Sequence, residues 1–333
     1  MNRARRFAVT LTLSVTALAL TSVASIVWGS RDVAISEVIT ALTDPSANGI
    51  AEAAVRERIP RTILGLLVGA ALGLSGAVMQ GITRNPLADP GLSGVNAGAA
   101  FAVVSALALA GTPAPGTLMW VALAGATLAA IVTAVLGSAG PGGASPLKLA
   151  LAGAAVSAVC ASLTNAVLLP RVDIMTEYRF WQIGSIGGAD VHLFAAAAPF
   201  LIVGGVFALS SMRALNTLAL GDELATGVGL HVPRARLVGA TGAVMLAGTA
   251  TALAGPIVFV GLVAPHVARL LLGSDYRWIL PASVGFGAIL VVAADVLGRI
   301  LSRPSEIEVG ITLCLIGAPI FIAIARRNRI AQL

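Results

Sequence analysis

The fold can be predicted from residues 58–100, RIPRTILGLLVGAALGLSGAVMQGITRNPLADPGLSGVNAGAA. This stretch has no charge between Ile63 and Met79. Since each helical residue rises about 1.5 Å, roughly 20 such residues cross about 30 Å of hydrocarbon. The Asn-Pro and Asp-Pro pairs that follow are typical of a turn. The stretch therefore predicts a helix that enters a bilayer, then a break, then a second helix.

The composition of the whole chain agrees with this prediction. Of 333 residues, 57% are hydrophobic and only 11% are charged, and the mean hydropathy is +0.94. A soluble core does not use so much apolar sequence, so the composition indicates a polytopic membrane protein. The arginines are scattered between apolar runs, which excludes a nucleic-acid-binding patch. Cys160 and Cys314 lie inside apolar segments with no metal-ligand spacing, so no metal site is predicted.

The apolar runs predict an all-α fold of about ten transmembrane helices. The first run follows the basic sequence NRARR, but it is too long for the apolar region of a signal peptide, and we interpret it as a retained helix. The predicted spans are residues 7–28, 62–81, 93–110, 117–137, 148–169, 193–210, 237–254, 256–271, 281–298 and 309–325.

The distribution of basic residues predicts the orientation. With ten spans and a cytoplasmic amino terminus, 13 of the 21 Lys and Arg residues lie inside, and 11 of the 15 acidic residues lie outside. The positive-inside rule favours this topology, with both termini in the cytoplasm. Arg58 and Arg61 then face outward, against the trend.

An internal repeat is visible when the chain is shifted by 179 positions. Gly69, Leu74, Gly76, Pro86 and Gly94 then meet Gly248, Leu253, Gly255, Pro265 and Gly273. Because the two copies start on spans of opposite direction, we predict an inverted repeat, a feature of transporters. The first copy begins within residues 55–110, and the second occupies residues 237–327.

Three further motifs occur in a fixed order after residues 58–100. They are LNTLALGDELATGVGLHVPRAR (215–236), AGPIVFVGLVAPHVARLLLGSDYRWILP (254–281) and, after ADVLGRIL, EVGITLCLIGAPIFIAIARR (308–327). From Val55 to Arg327 the sequence resembles the FecCD-type permeases, the membrane subunits of ABC importers for iron-siderophores, haem and cobalamin.

The resemblance implies one transmembrane permease domain over residues 1–333 in the bacterial inner membrane. It implies a second permease subunit, identical or related, and an external substrate-binding protein. It also implies two ATP-binding subunits, which hold the ATP and magnesium. The sequence has no GxxxxGK[ST] phosphate loop, so we expect the chain to be no enzyme and to bind no cofactor itself.

The resemblance also implies sites. Residues 213–236 match the segment that couples permease to ATPase, with Leu220, Gly221, Glu223, Ala225 and Gly229 as its expected contacts. Arg58, Arg61 and Arg299 match outward arginines that receive acidic residues of the binding protein. The fifth helix of the family lines the pathway, which makes Ser157, Cys160 and Thr164 candidate lining residues.

Plainer interpretations stay open for each site. The coupling segment can be an ordinary loop, and the small residues of the fifth span can serve packing alone. The arginines can form local pairs, Arg58 with Glu52 or Glu57, and Arg299 with Asp295, four residues away. His266 and Gln80 are expected to make structural hydrogen bonds.

Two other function classes are alternatives to the importer. A GxSG serine, Ser75 or Ser93, with His266 as base would make an intramembrane protease. An ion-coupled secondary transporter needs an ionisable group within the membrane, for which Asp295 is the candidate. Glu308 also stands where family members often have proline, which makes the turn into the last span a departure from the pattern.

Overall fold

The computed structural model describes residues 3–47, 49–111, 114–140 and 145–330, and these ranges contain helices and no strands. A short 3₁₀ helix, Pro90–Ser93, separates α3 from α4. The α-helices are α1 (Arg3–Val27), α2 (Ile35–Thr43), α3 (Ile50–Thr83), α4 (Val95–Ala110), α5 (Pro115–Ser138), α6 (Pro146–Leu168), α7 (Val172–Ile183), α8 (Val191–Ser210), α9 (Met212–Leu218), α10 (Asp222–Gly227), α11 (Val232–Ala254), α12 (Val260–Leu272), α13 (Tyr276–Leu301) and α14 (Val309–Ile330).

The predicted all-α membrane fold is confirmed. Within the described ranges seven helices, α1, α3, α5, α6, α8, α11 and α13, are long and apolar enough to cross a bilayer. Shorter apolar helices occur at α4, at α12 and over residues 309–322 of α14. These ten helices coincide with the ten predicted spans. The short helices α2 and α7 were not predicted, because polar and apolar residues alternate there over too few turns.

Helix α3 is the centre of the bundle. Its most apolar window is 72% buried, against 61% for α11, 56% for α13 and 6% for α1. It packs against α11, α12 and α13, whereas α1 touches the bundle mainly along α13 and α3. Helix α1 therefore turns most of its surface to the surrounding lipid.

Glycines allow α3 to approach its neighbours at backbone distance. A Cβ atom on Gly76 would overlap the carbonyl oxygen of Gly261 in α12, and one on Gly69 would overlap that of Gly287 in α13. Without a strong hydrophobic force between helices in lipid, such close contact supplies much of the packing energy. Two of the glycines that suggested the repeat, Gly69 and Gly76, thus have a packing reason.

The two predicted repeats share their order of elements but not the proposed residue pairing. A long helix, a break and a shorter helix occur in α3 to α4 and again in α11 to α12. Pro86, however, lies in the turn after α3, while Pro265 lies inside α12. The predicted match of these two prolines at a shift of 179 is therefore wrong. Helix α11 ends at Ala254, before the position that corresponds to the end of α3 at this shift.

We expect Gly76→Ala to destabilise the protein by about 2 kcal/mol or more, because the added methyl group must push α3 and α12 apart. The measurement is the temperature at which detergent-purified protein leaves its monodisperse size-exclusion peak. Gly205→Ala on α8 is the control, since nothing lies within 4 Å of its added methyl group. Equal losses in the two variants would show that the close approach is not what holds α3.

Candidate functional site

Arg58 closes the end of α1. Its side chain is buried, and Nη1 donates to the carbonyl oxygens of Ile26 (3.0 Å) and Val27 (2.8 Å). Nη2 donates to the carbonyl oxygen of Arg31 at 2.8 Å. The last carbonyls of a helix have no partner within the helix and carry partial negative charge. Arg58 therefore satisfies the end of α1 from the neighbouring helix α3.

Arg61 and Arg299 share one buried carboxylate, that of Asp295. The Nε and Nη2 atoms of Arg61 donate to Asp295 at 2.7–3.2 Å, which is the two-bond geometry that arginine makes with a carboxylate. Arg299 reaches the second oxygen of Asp295 at 2.8 Å, and Arg299 is only 1% exposed. Its Nη atoms also donate to the carbonyl and hydroxyl oxygens of Ser25 in α1, at 3.0 and 2.8 Å.

Glu306 extends this network to the surface. Its Oε2 accepts from Nη1 of Arg61 at 2.6 Å, and its Oε1 accepts from the hydroxyl of Ser30 at 2.7 Å. Partial burial raises the pKa of Glu306, but the hydrogen bonds from Ser30 and Arg61 outweigh it and hold that pKa below its usual value. The side chain is 34% exposed, so Glu306 is the accessible member of the cluster. We call Arg58, Arg61, Asp295, Arg299 and Glu306 the arginine network.

The structure thus brings the three predicted docking arginines together but buries them. The open basic pocket expected from the resemblance is not formed by these side chains, and their docking role stays a prediction. The local pair of Arg299 with Asp295 is confirmed. The pairing of Arg58 with Glu52 or Glu57 is wrong, because backbone carbonyls take its hydrogen bonds. Glu306 was not predicted as a partner of Arg61, because it lies 245 positions away in the sequence.

The predicted coupling segment is a short, rigid element. Helix α10 is preceded by Gly221 and followed by Gly229, which have φ of 102° and 88° and so adopt a backbone that favours glycine. Ala225 is fully buried. Asp222 forms ion pairs with Arg84 (3.4 Å) and Arg236 (3.0 Å).

Helix α9, which leads into the coupling segment, is fixed to the start of α13. The amide of Asn216 donates to Asp275 at 2.7 Å, and its oxygen accepts from the backbone of Tyr276 at 2.9 Å. The segment nevertheless keeps an apolar exposed face. Leu220 is 60% exposed, Leu224 63% and Val228 69%, with Glu223 exposed beside them. The predicted coupling residues therefore divide into two exposed ones, Leu220 and Glu223, and three that shape the segment, Gly221, Ala225 and Gly229. Their contact with an ATPase stays a prediction.

The three candidate pathway residues on α6 are placed differently. Ser157 and Cys160 are half-buried, and Thr164 is buried. Thr164 lies in the wall of a cavity of about 540 Å³ between α4, α6, α7 and the break that follows α11. Ser157 and Cys160 do not line that cavity, and pathway lining by all three stays a prediction.

The remaining polar candidates have structural partners. Gln80 donates to the carbonyl oxygen of Gly261 at 3.1 Å and accepts from Arg269, so it joins α3 to α12 as expected. Ser75 is fully buried and donates to the carbonyl oxygen of Ala243 at 2.6 Å, which removes it as an accessible nucleophile. The side chain of Ser93 lies outside the described residues. Glu308 directly precedes α14, where a carboxylate favours the helix amino terminus.

We expect Asp295→Asn to cost about 3–5 kcal/mol, because it leaves the buried Arg61 and Arg299 without the charge they share. Thermal unfolding of the purified protein, followed by loss of the size-exclusion peak, is the measurement. The control is Asp173→Asn, which breaks an exposed pair with Arg171 and should leave stability unchanged. A fully stable Asp295→Asn variant would contradict the role given to the network.

Comparison with known proteins agrees with the arrangement of helices. The profile of the FecCD transport family matches residues 17–327. The chain is 41% identical over 311 residues to the ferric enterobactin transport system permease protein FepD of Escherichia coli (strain K12), covering 93% of each. It is 41% identical over 272 residues to the Fe(3+) dicitrate transport system permease protein FecD of the same organism, covering 82% of this chain and 84% of FecD.

Among solved structures, a metal-chelate type ABC transporter in an inward-facing conformation has a TM-score of 0.83 at 25% identity, covering 96% of this chain and 99% of that one. The family match extends over most of the chain, and the FepD relative is covered almost end to end. The chain is a multi-pass membrane protein and belongs to the FecCD transport family.

Proposed function

We propose that the chain is the membrane-spanning permease subunit of an ATP-driven importer, and that it translocates an iron-siderophore or a similar metal chelate such as haem or cobalamin. The observation that carries the proposal is the 93% coverage at 41% identity of a ferric enterobactin permease. The ferric dicitrate relative supports the same class of cargo. Delivery by a substrate-binding protein and residence in the bacterial inner membrane, with both termini cytoplasmic, belong to the same proposal.

The energy source is proposed to be ATP hydrolysis on two partner subunits. The 333 residues contain no phosphate loop, so ATP and magnesium would be held by those partners. The contact is proposed to be the exposed face of the coupling segment, Leu220, Leu224 and Val228. Leu224 lies on α10, and Leu220 and Val228 are exposed apolar residues that flank this helix. The ion pairs of Asp222 with Arg84 and Arg236 support this contact, because they fix the segment to the helices beside it. A fixed segment transmits a movement of the ATPase to the membrane helices better than a flexible loop does.

Asp295 argues against the ion-coupled alternative. A proton-carrying carboxylate must exchange its proton with a water path, yet Asp295 is 1% exposed and forms ion pairs with both Arg61 and Arg299. It therefore suits a structural role, and the importer is the better supported class.

Docking of the binding protein on the arginine network remains part of the proposal, but it requires that an arginine of the network exchange its present acidic partner for one of the binding protein. All three guanidinium groups are buried, and the most accessible bond is the one from Arg61 to Glu306. A carboxylate of the binding protein could replace Glu306 there, since one acidic group would take the place of another. Reversing the charges of Arg58 and Arg61 together would not test this, because it would also break α1 from the bundle.

The whole proposal is tested by purifying the native complex and reconstituting it in proteoliposomes. Uptake of a ⁵⁵Fe-loaded chelate should need internal ATP and the binding protein, and it should persist when the proton gradient is collapsed. Uptake that survives without the ATPase but fails without the gradient would replace this proposal with the ion-coupled one.

The coupling contact has a separate test. We expect Leu224→Asp, alone or with Glu223→Lys, to weaken ATPase binding by about 2–5 kcal/mol, because a charge is placed in the apolar contact and another is reversed. The measurement is the amount of ATPase that co-purifies with the permease. Glu57→Lys, a reversal at an exposed position of α3, is the control and should retain the ATPase. Full retention by the Leu224→Asp, Glu223→Lys variant would exclude α10 as the contact.

A further inference from the structure

The cavity of about 540 Å³ beside α7 has a mainly apolar wall, with a smaller polar part that includes one charged side chain. Its apolar part comes from alanines and leucines of α4 and α6 together with Pro256 and Val258. Its polar part comes from Asn96, Asn165 and Gln182, and its charged residue is Arg179. None of the described residues that line it is acidic, so these residues give the wall a positive formal charge.

Arg179 is held in place while its charge stays available. It lies on α7, one position after Tyr178, which is buried and stacks with Trp181 at a ring distance of 6.5 Å. Helix α7 packs on α4 and α6, so its position is fixed by the bundle. Arg179 itself is exposed, and no hydrogen bond or ion pair holds its guanidinium group among the described residues. Arg171, the residue that precedes α7, does have such a partner, since it forms an ion pair with Asp173.

The polar side chains of the wall suit an oxygen-rich ligand. Asn165 and Gln182 are exposed, and each carries an amide that can donate two hydrogen bonds. Arginine offers a planar set of N–H donors that match oxygen anions and stays charged at every relevant pH. A volume of this size is within the range of sites for drug-sized molecules, about 300–1,000 Å³.

A second cavity in the protein has the opposite chemistry. It measures about 370 Å³, and most of its wall is apolar, with residues of α3, α5, α6 and α11. Its charged residue is Asp89, in the turn before the 3₁₀ helix, and burial raises the pKa of this carboxyl group to about 6. An anion would be repelled there once Asp89 ionises, so the two cavities differ in the ligands that they favour.

We propose that Arg179, Asn165 and Gln182 form a contact site for an anionic metal chelate, which selects complexes with exposed oxygen anions over neutral ones of similar size. This inference rests on the proposed function, and it assigns the substrate class at the cavity beside α7. With one charge and a few amides in an open wall, the site binds weakly, as a transport pathway requires if its cargo is to leave again.

Saturation-transfer difference NMR on the permease in nanodiscs tests the site directly. The probes are two diamagnetic Ga³⁺ complexes, a tris-catecholate with three negative charges and a neutral tris-hydroxamate. The wild-type protein should bind the tris-catecholate in the millimolar range and the tris-hydroxamate several-fold more weakly. Equal signals from both complexes, or no signal from either, would overturn the proposal.

Substitutions in the wall supply the decisive comparison. Arg179→Gln should weaken tris-catecholate binding about fivefold, the effect of one partly exposed charge, and Arg179→Lys should keep most of it. Asn165→Asp places an acid in the wall with almost no change of volume, so it should weaken the tris-catecholate and leave the tris-hydroxamate unaffected. Arg277→Gln, at an exposed arginine near the start of α13 and outside the cavity, is the control. Unchanged tris-catecholate binding in both Arg179→Gln and Asn165→Asp would overturn the proposal.

The outcome is separable from that of the proposed function. ATP-dependent uptake with no effect of Arg179→Gln on chelate binding would remove the site and keep the importer. Failure of ATPase co-purification would remove the importer, while the NMR measurement would still report whether the wall distinguishes anionic from neutral complexes.

Discussion

Charges and helix ends within a bilayer must find their partners inside the protein, because lipid offers no hydrogen bonds. The polar cluster beside the end of α1 follows from that constraint. Arg58 satisfies the last carbonyls of α1, and Asp295 balances Arg61 and Arg299 between α3 and α13. Helix α1 packs along α13 and α3, but only 6% of its most apolar window is buried, so these polar bonds contribute to the attachment of the first span. The central helices depend on them less, since glycines bring their backbones together directly.

The fold could be predicted from the sequence to a large extent, because hydrophobic length is a strong signal in membrane proteins. Each of the ten predicted spans corresponds to a helix, even the short and glycine-rich α4 and α12. Helices α2 and α7 could not be found in this way, since nine and twelve residues of mixed polarity give no such signal. The residue pairing of the repeat also failed, because a shift that aligns glycines does not require the helices to end at matching positions.

The sites were predicted less completely than the fold. The i,i+4 pair of Asp295 and Arg299 was visible in the sequence, because helical spacing alone brings the two residues together. The partnership of Arg61 with Glu306 was not, since it joins residues distant in the chain. For the coupling segment, the motif selected residues 220–229 as a candidate contact, which stays a prediction. Only the structure separates the exposed Leu220 and Leu224 from the buried Ala225. Arg179 carried no motif at all, and its importance depends on the cavity that α7 helps to form.

The long sequence separation within the arginine network has a consequence for membrane insertion during synthesis. Arg61 is made with α3, whereas Asp295 and Glu306 follow 234 and 245 residues later. Chains are synthesised from the amino terminus, at roughly 5–20 residues per second. For the time needed to make the six predicted spans between α3 and α13, Arg61 therefore lacks both of its carboxylate partners. Until then we expect the charged end of α3 that carries Arg61 to stay near the aqueous interface. Helix α3 then reaches its final position only after α13 and the loop that follows it have been synthesised.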